Sequence, residues 1–208
     1  MRRQGFAVTD TITDIATLES IYGTPAEASL IKVADRLTPL YSKWIMASRL
    51  CVVSTVGPDG TDGSPRGDDG PVVQAPDAKT LLLPDWRGNN RIDTLRNIVA
   101  DGRISLMFIV PGSHNVIRVN GTAVVSVAPD LLGRFDQKGR QPRSVIVITV
   151  AEVYSQCARA LMRARIWASG DESADLPSIG ALLEEQKNDF DGAAYDAEWA
   201  ARAVKTMW

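Results

Sequence analysis

From Arg49 to Val153 the chain is a succession of short apolar runs, rich in valine and isoleucine, each stopped by turn residues within a few positions. Runs of that length set close together build antiparallel sheets that close on themselves, whereas parallel sheets need a helix between strands. Arg49 to Val56 reads as the first strand, and Gly57-Pro58-Asp59-Gly60 folds the chain back. Val72-Val73-Gln74 and Thr80 to Leu83 read as two further short strands around Pro76-Asp77-Ala78. Arg103 to Val110 is almost continuously apolar, the pattern of a strand buried on both faces, and ends at Pro111-Gly112. Val116 to Val127 alternates, placing Ile117, Val119, Gly121, Ala123 and Val125 on one face and Arg118, Asn120 and Thr122 on the other. Ser144 to Val153 is the last strand, after a helical turn over Pro129 to Phe135. The expected fold is mainly β with flanking helices (α+β), a six-stranded antiparallel barrel. No GxGxxG follows the first strand, so a Rossmann reading fails.

Helices flank this region. Ile12, Ile15, Leu18 and Ile21 predict a helix within Thr9 to Tyr22, capped by Thr9 or Asp10 and stopped at Gly23-Thr24-Pro25. A second is expected between Pro25 and Pro39, a third over Tyr41 to Ser48, and all three are expected to cover the barrel or a partner subunit. Ala158 to Trp167, Ile179 to Glu185 and the tail through Trp199 to Trp208 are helical by pattern. The expected organisation is one domain over 1–208, with an N-terminal helical cover (1–48), the barrel (49–155) and C-terminal helices (156–208).

The polar text with most chemical content is Ser64 to Arg91. Ser64-Pro65-Arg66-Gly67-Asp68-Asp69-Gly70 and Pro84-Asp85-Trp86-Arg87-Gly88-Asn89-Asn90-Arg91 flank one apolar strand, so a hairpin would bring both clusters to one rim. Arg87 and Arg91 carry planar forks that match a phosphate, Gly88 admits close backbone approach, and Asn89 or Asn90 suits the cap of the helix from Ile92 to Val99. A phosphate there would meet unpaired N–H groups and the positive end of the helix dipole. On local text alone, a solvated turn-rich loop accounts for the same residues equally well.

Composition narrows the function. With 23 basic and 25 acidic side chains the net charge is −2, which argues against a nucleic-acid binder, so any anion site is local. No run is long enough to span a bilayer, and Met1-Arg2-Arg3-Gln4-Gly5 lacks a following apolar core; a cytoplasmic protein is expected. Cys51 and Cys157 are far apart with no CxxC partner, which predicts buried, inert thiols. With one histidine, His114, a structural zinc site has too few ligands, and no G-x-S-x-G elbow supplies a hydrolase nucleophile.

Taken together, Ser64-Pro-Arg-Gly-Asp68, Leu82-Leu-Pro-Asp-Trp-Arg-Gly-Asn-Asn-Arg91, Leu95-Arg-Asn-Ile98, Pro111-Gly112, Arg118-Val-Asn-Gly121 and Cys157 to Trp167 resemble the pyridoxamine 5'-phosphate oxidase-like family of FMN-binding split barrels, and within it a branch of FMN-dependent enzymes of undefined substrate. The resemblance implies a homodimer with FMN at the subunit interface, acting on a small-molecule substrate or a nicotinamide donor. By the same resemblance Ser64, Pro65 and Arg66 line the isoalloxazine and ribityl chain, Arg87, Asn89, Asn90 and Arg91 hold the phosphate, and Asp85 meets a ribityl hydroxyl. Arg118 is placed at the flavin's pyrimidine edge, and Trp167 reaches the partner's flavin. The C-terminal Trp with paired Arg and His of authentic pyridoxamine phosphate oxidases has no counterpart here, so that substrate is not expected. Two functions remain open: an FMN-dependent oxidoreductase, or a protein that binds and stores flavin without turnover. A deazaflavin or haem in the same fold is a third possibility, the latter short of axial ligands.

Overall fold

The structure is a computed structural model that describes residues 9–208. These fall into two compact units, divided between Val33 and Ala34. The first holds α1 (Ile15–Tyr22) and α2 (Glu27–Ile31), neither of which has a buried residue. Asp14, not Thr9 or Asp10, caps α1, its carboxylate accepting from the Thr17 amide at 2.8 Å. The second helix stops at Ile31 rather than running toward Pro39, because Ala34 is drawn into a backbone bridge with Val153.

The second unit is the barrel with its helices. After α3 (Pro39–Met46) come β1 (Leu50–Gly57), β2 (Gly60–Gly67), β3 (Thr80–Asp85), α4 (Asp93–Ala100), β4 (Arg103–Ile109), β5 (Val116–Ser126), α5 (Pro129–Leu132) and β6 (Ser144–Gln156). The six strands form one antiparallel sheet in the order β2-β1-β4-β5-β6-β3. α6 (Arg159–Ala164), α7 (Ile179–Gln186) and α8 (Gly192–Thr206) follow. Among the described residues, no helix is long and apolar enough to cross a membrane.

Alternation decides what is inside. Cys51 and Val53 of β1, Leu106 and Phe108 of β4, Ile117 and Val119 of β5, Ile146 and Ile148 of β6, and Leu81 and Leu83 of β3 are buried in one cluster. β4 is not buried on both faces: Ile104, Leu106 and Phe108 point in, while Met107 is 37% exposed, because the outer side of the sheet is left open in the chain. Val72 to Gln74 form no strand; only Gln74 bridges, to Leu82, since Pro71 and Pro76 leave too short a stretch between them. β5 and β6 slip register between Asn120 and Gly121. A Cβ on Gly121 would lie 2.0 Å from the Thr149 carbonyl oxygen, so only glycine fits this bulge.

The two thiols part company. Cys51 is buried, and that burial pushes its thiol up from 9.0 to about 12, against the opposing pull of nearby Arg66. Cys157 is exposed, contrary to expectation, because it lies past the point where the strand pattern ends. Iodoacetamide at mildly alkaline pH is expected to label Cys157 and spare Cys51 until the chain unfolds, as read by peptide mass. Because the folded Cys51 keeps its proton where the unfolded one loses it, its contribution to stability is fully present below pH 9.0 and lost as pH rises toward about 12. Labelling both thiols equally in the native chain would contradict this burial.

Candidate functional site

The two polar clusters meet, but not through a hairpin. β2 and β3 are the opposite ends of the strand order, and curling of the sheet brings them face to face. Arg66 on β2 closes the seam, its Nη1 donating to Asp85 Oδ1 on β3 at 2.5 Å, with side-chain exposures of 20% and 13%. Just beyond both strands, Trp86 Nε1 donates to Asp68 Oδ2 at 2.9 Å, and Gln137 Nε2 donates to Asp68 Oδ1 at 2.8 Å.

Register explains why β2 carries the polar side of the seam. Asp62, Ser64 and Arg66 pair with Thr55, Val53 and Cys51, all buried, so they share the inward face of the sheet at its edge. α4 is locked onto the same hairpin. Thr94 Oγ1 donates to Asp62 at 2.5 Å and Asn97 Nδ2 donates to Thr55 Oγ1 at 3.1 Å. Gly57 leaves the room Asn97 needs: a Cβ there would sit 2.2 Å from its Oδ1.

The loop into α4 is held in an unusual shape. Asn90 and Ile92 both have positive φ, 63° and 54°, on either side of Arg91. For β-branched Ile92 that conformation costs on the order of 1–2 kcal/mol, the kind of local strain that gathers at binding sites. Neither asparagine caps α4. Ile92 occupies the N-cap with no side-chain bond, and Asn89 instead accepts from the Arg91 amide at 3.0 Å. Asn90 Oδ1 accepts from Arg143 Nη1 at 2.7 Å, which brings a further arginine to the loop. Arg91 Nε donates to Asp93, and that hydrogen bond holds the guanidinium above its ordinary pKa.

These elements enclose a cavity of about 1070 Å³. Ser64, Pro65, Arg66, Asp85, Arg87, Asn89, Asn90 and Arg91 all line it. Arg118 and Trp167 do not. Arg118 lies in the row Pro65–Val52–Met107–Arg118–Tyr154 on the outer side of the sheet, its guanidinium 5.2 Å from the centre of the Tyr154 ring. Trp167 Nε1 donates to the Ser113 carbonyl at 2.7 Å. His114 is likewise absent from the lining. Sequence reasoning missed Lys138, Arg143, Met207 and Trp208, which do line it. Nothing in their local text marks them, because long-range folding alone brings them there; Trp86, by contrast, lay inside the motif.

The donor set suits a phosphorylated ligand. Arg87, Arg91, Lys138 and Arg143 line the cavity, and Arg87 and Lys138 have no ion-pair partner among the described residues. Arg66 Nε is buried with no hydrogen-bond partner among the described residues; of the two buried side-chain donors left so, the other being Arg202 Nη2, it is the one whose residue lines the cavity. No group of three or more metal-ligating side chains occurs among the described residues.

A curled six-stranded antiparallel sheet whose two edge strands meet beside a polar cavity defines the split-barrel class. The family model described as pyridoxamine 5'-phosphate oxidase matches residues 37–157, the whole barrel, and the chain belongs to that family. Among solved structures, HupZ of Group A Streptococcus aligns with TM-score 0.46 at 19% identity, over 55% of this chain and 91% of its own. General stress protein 26 of Bacillus anthracis aligns with TM-score 0.41 at 17% identity, over 55% of this chain and 88% of its own. No curated protein sequence matches the chain.

Proposed function

We propose that this chain is an FMN-binding flavoprotein, working as an FMN-dependent oxidoreductase on a small substrate and as a homodimer with the cofactor at the subunit interface. The observation that carries the reading is the convergence of Arg87, Asn89, Asn90, Arg91 and Arg143 at one end of the cavity beside the uncapped start of α4. Guanidinium forks, amide side chains and unpaired backbone N–H groups together match the oxygens of a monophosphate. Ser64, Pro65 and Arg66 on β2 and Asp85 on β3 then stand along the seam where the ribityl chain and ring would lie.

A bound flavin supplies electron and hydride transfer, and the chain's part is to hold and polarise it. Arg91 must exchange Asp93 for phosphate, so part of each contact is offset by the ion pair it replaces. Arg118 and Trp167 lie outside the chain's own cavity, and in the dimer reading they serve the partner's site. Support for the dimer comes from the outer face of the sheet, where Leu50 is 38% exposed and Met107, paired with Arg118, is 37% exposed.

The test is one experiment on purified protein. The wild type is expected to carry or take up FMN, to show flavin absorption bands, and to run at twice 22.5 kDa. Arg91→Ala is expected to weaken FMN at least about tenfold while keeping the fold, since a charge-assisted contact is removed. Full affinity in that variant would displace the phosphate from this loop. Bleaching by a nicotinamide donor with reoxidation in air identifies an enzyme; a bound flavin that no donor reduces identifies a flavin-storing protein.

A further inference from the structure

The segment that leaves α8 has no part in the barrel core, yet it forms one side of the cavity. Met207 and Trp208 line it, and the Trp208 ring meets Trp86 edge-on, with centroids 5.4 Å apart and planes at 85°. Trp86 is itself fixed by its 2.9 Å hydrogen bond to Asp68. The backbone of the segment is held as well: Arg140 Nη1 donates to the carbonyls of Lys205 at 3.1 Å and Trp208 at 2.8 Å. Arg140 belongs to a turn closed by mutual backbone bonds with Gln137, and Gln137 donates to the same Asp68. One carboxylate therefore anchors both the ring that Trp208 meets and the turn that grips its backbone.

Behind this wall lies a second hollow of about 340 Å³, lined by Lys138, Arg140, Val204, Met207 and Trp208 among others. A tryptophan with open space on both sides is not placed there to fill a core. It separates two spaces, and the larger one is the cavity of the proposed cofactor.

We propose that Trp208 is a cofactor-retaining residue: docked on Trp86 and gripped by Arg140, it walls the cavity beside the Arg87–Arg143 end and slows the escape of FMN. The inference rests on the FMN reading above. Its chemistry is that of a rigid aromatic wall, which acts on the rate of release more than on the rate of entry.

The experiment loads wild type, Trp208→Ala, Trp208→Phe and Arg140→Ala with FMN and follows the return of free-flavin fluorescence after dilution. Trp208→Ala and Arg140→Ala are expected to release FMN about three- to tenfold faster, the scale of one aromatic pair, with Trp208→Phe close to wild type. Melting temperatures of the FMN-free proteins are expected to coincide, since the segment lies outside the core clusters. A Trp208→Ala protein that releases FMN at the wild-type rate overturns the inference and leaves the cofactor reading standing; should that variant fail to fold, Arg140→Ala decides in the same way. A wild type that takes up no FMN overturns the cofactor reading, and this inference with it.

Discussion

Arg66→Met is expected to destabilise the folded chain by about 3 kcal/mol, because it leaves the Asp85 carboxylate largely buried without its partner. The pair is short, 2.5 Å, and with exposures of 20% and 13% water screens it little. Its position raises the effect further. It is the one ion pair among the described residues that joins β2 to β3, the strands at the two ends of the sheet. The double change Arg66→Met with Asp85→Leu is expected to recover most of the loss, since the penalty of a buried pair lies mainly in orphaning one member. Urea unfolding of the three proteins measures both steps. A single variant within about 0.5 kcal/mol of wild type would show that the seam is held elsewhere.

Gly121→Val is expected to be comparably damaging, by about 3 kcal/mol or more, for a different reason. Overpacking a core usually displaces side chains, which can turn aside. Here the new Cβ would meet backbone, 2.0 Å from the Thr149 carbonyl oxygen and 3.3 Å from the Ala151 amide nitrogen. Relief requires moving β5 away from β6, the longest pairing in the sheet. Gly63→Ala is the control, since a Cβ there meets nothing within 4 Å, and its expected change is under about 0.5 kcal/mol. Thermal melts of both variants decide the point; a Gly121→Val protein as stable as Gly63→Ala would mean that the bulge relaxes freely.

The fold was legible because strand length, alternation and turn residues are local signals. Four of the six strands are visible in valine and isoleucine text and β3 in its run of leucines; β2, with Gly60, Gly63, Pro65 and Gly67, has almost no apolar side chain and shows only as the return of a hairpin. Eight residues of the cavity lining, from Ser64 to Arg91, were legible because they sit in two compact polar motifs. How those motifs meet was not. A hairpin is the nearest arrangement in sequence, whereas the true one depends on closure of the whole sheet, a non-local event. Arg143 and Trp208 were invisible for the same reason: Arg143 reaches Asn90 across 53 positions and Arg140 reaches Trp208 across 68. The αL turn at Asn90 and Ile92 also escaped, since isoleucine is among the residues least expected there.

The seam between β2 and β3 bears on how long the chain lasts. Edge strands expose unpaired backbone groups, and a sheet that parts along its seam offers two of them to proteases and to other chains. On the cofactor reading proposed above, an anion held by Arg66, Arg87 and Arg91 together stays bound only while the edges are apposed, and so would act as a rivet across the joint. At a hundredfold excess over its dissociation constant, such a ligand shifts the folding equilibrium by about 2.7 kcal/mol. The same reading predicts that the abundance of this protein follows the supply of its ligand, with the unloaded fraction cleared first.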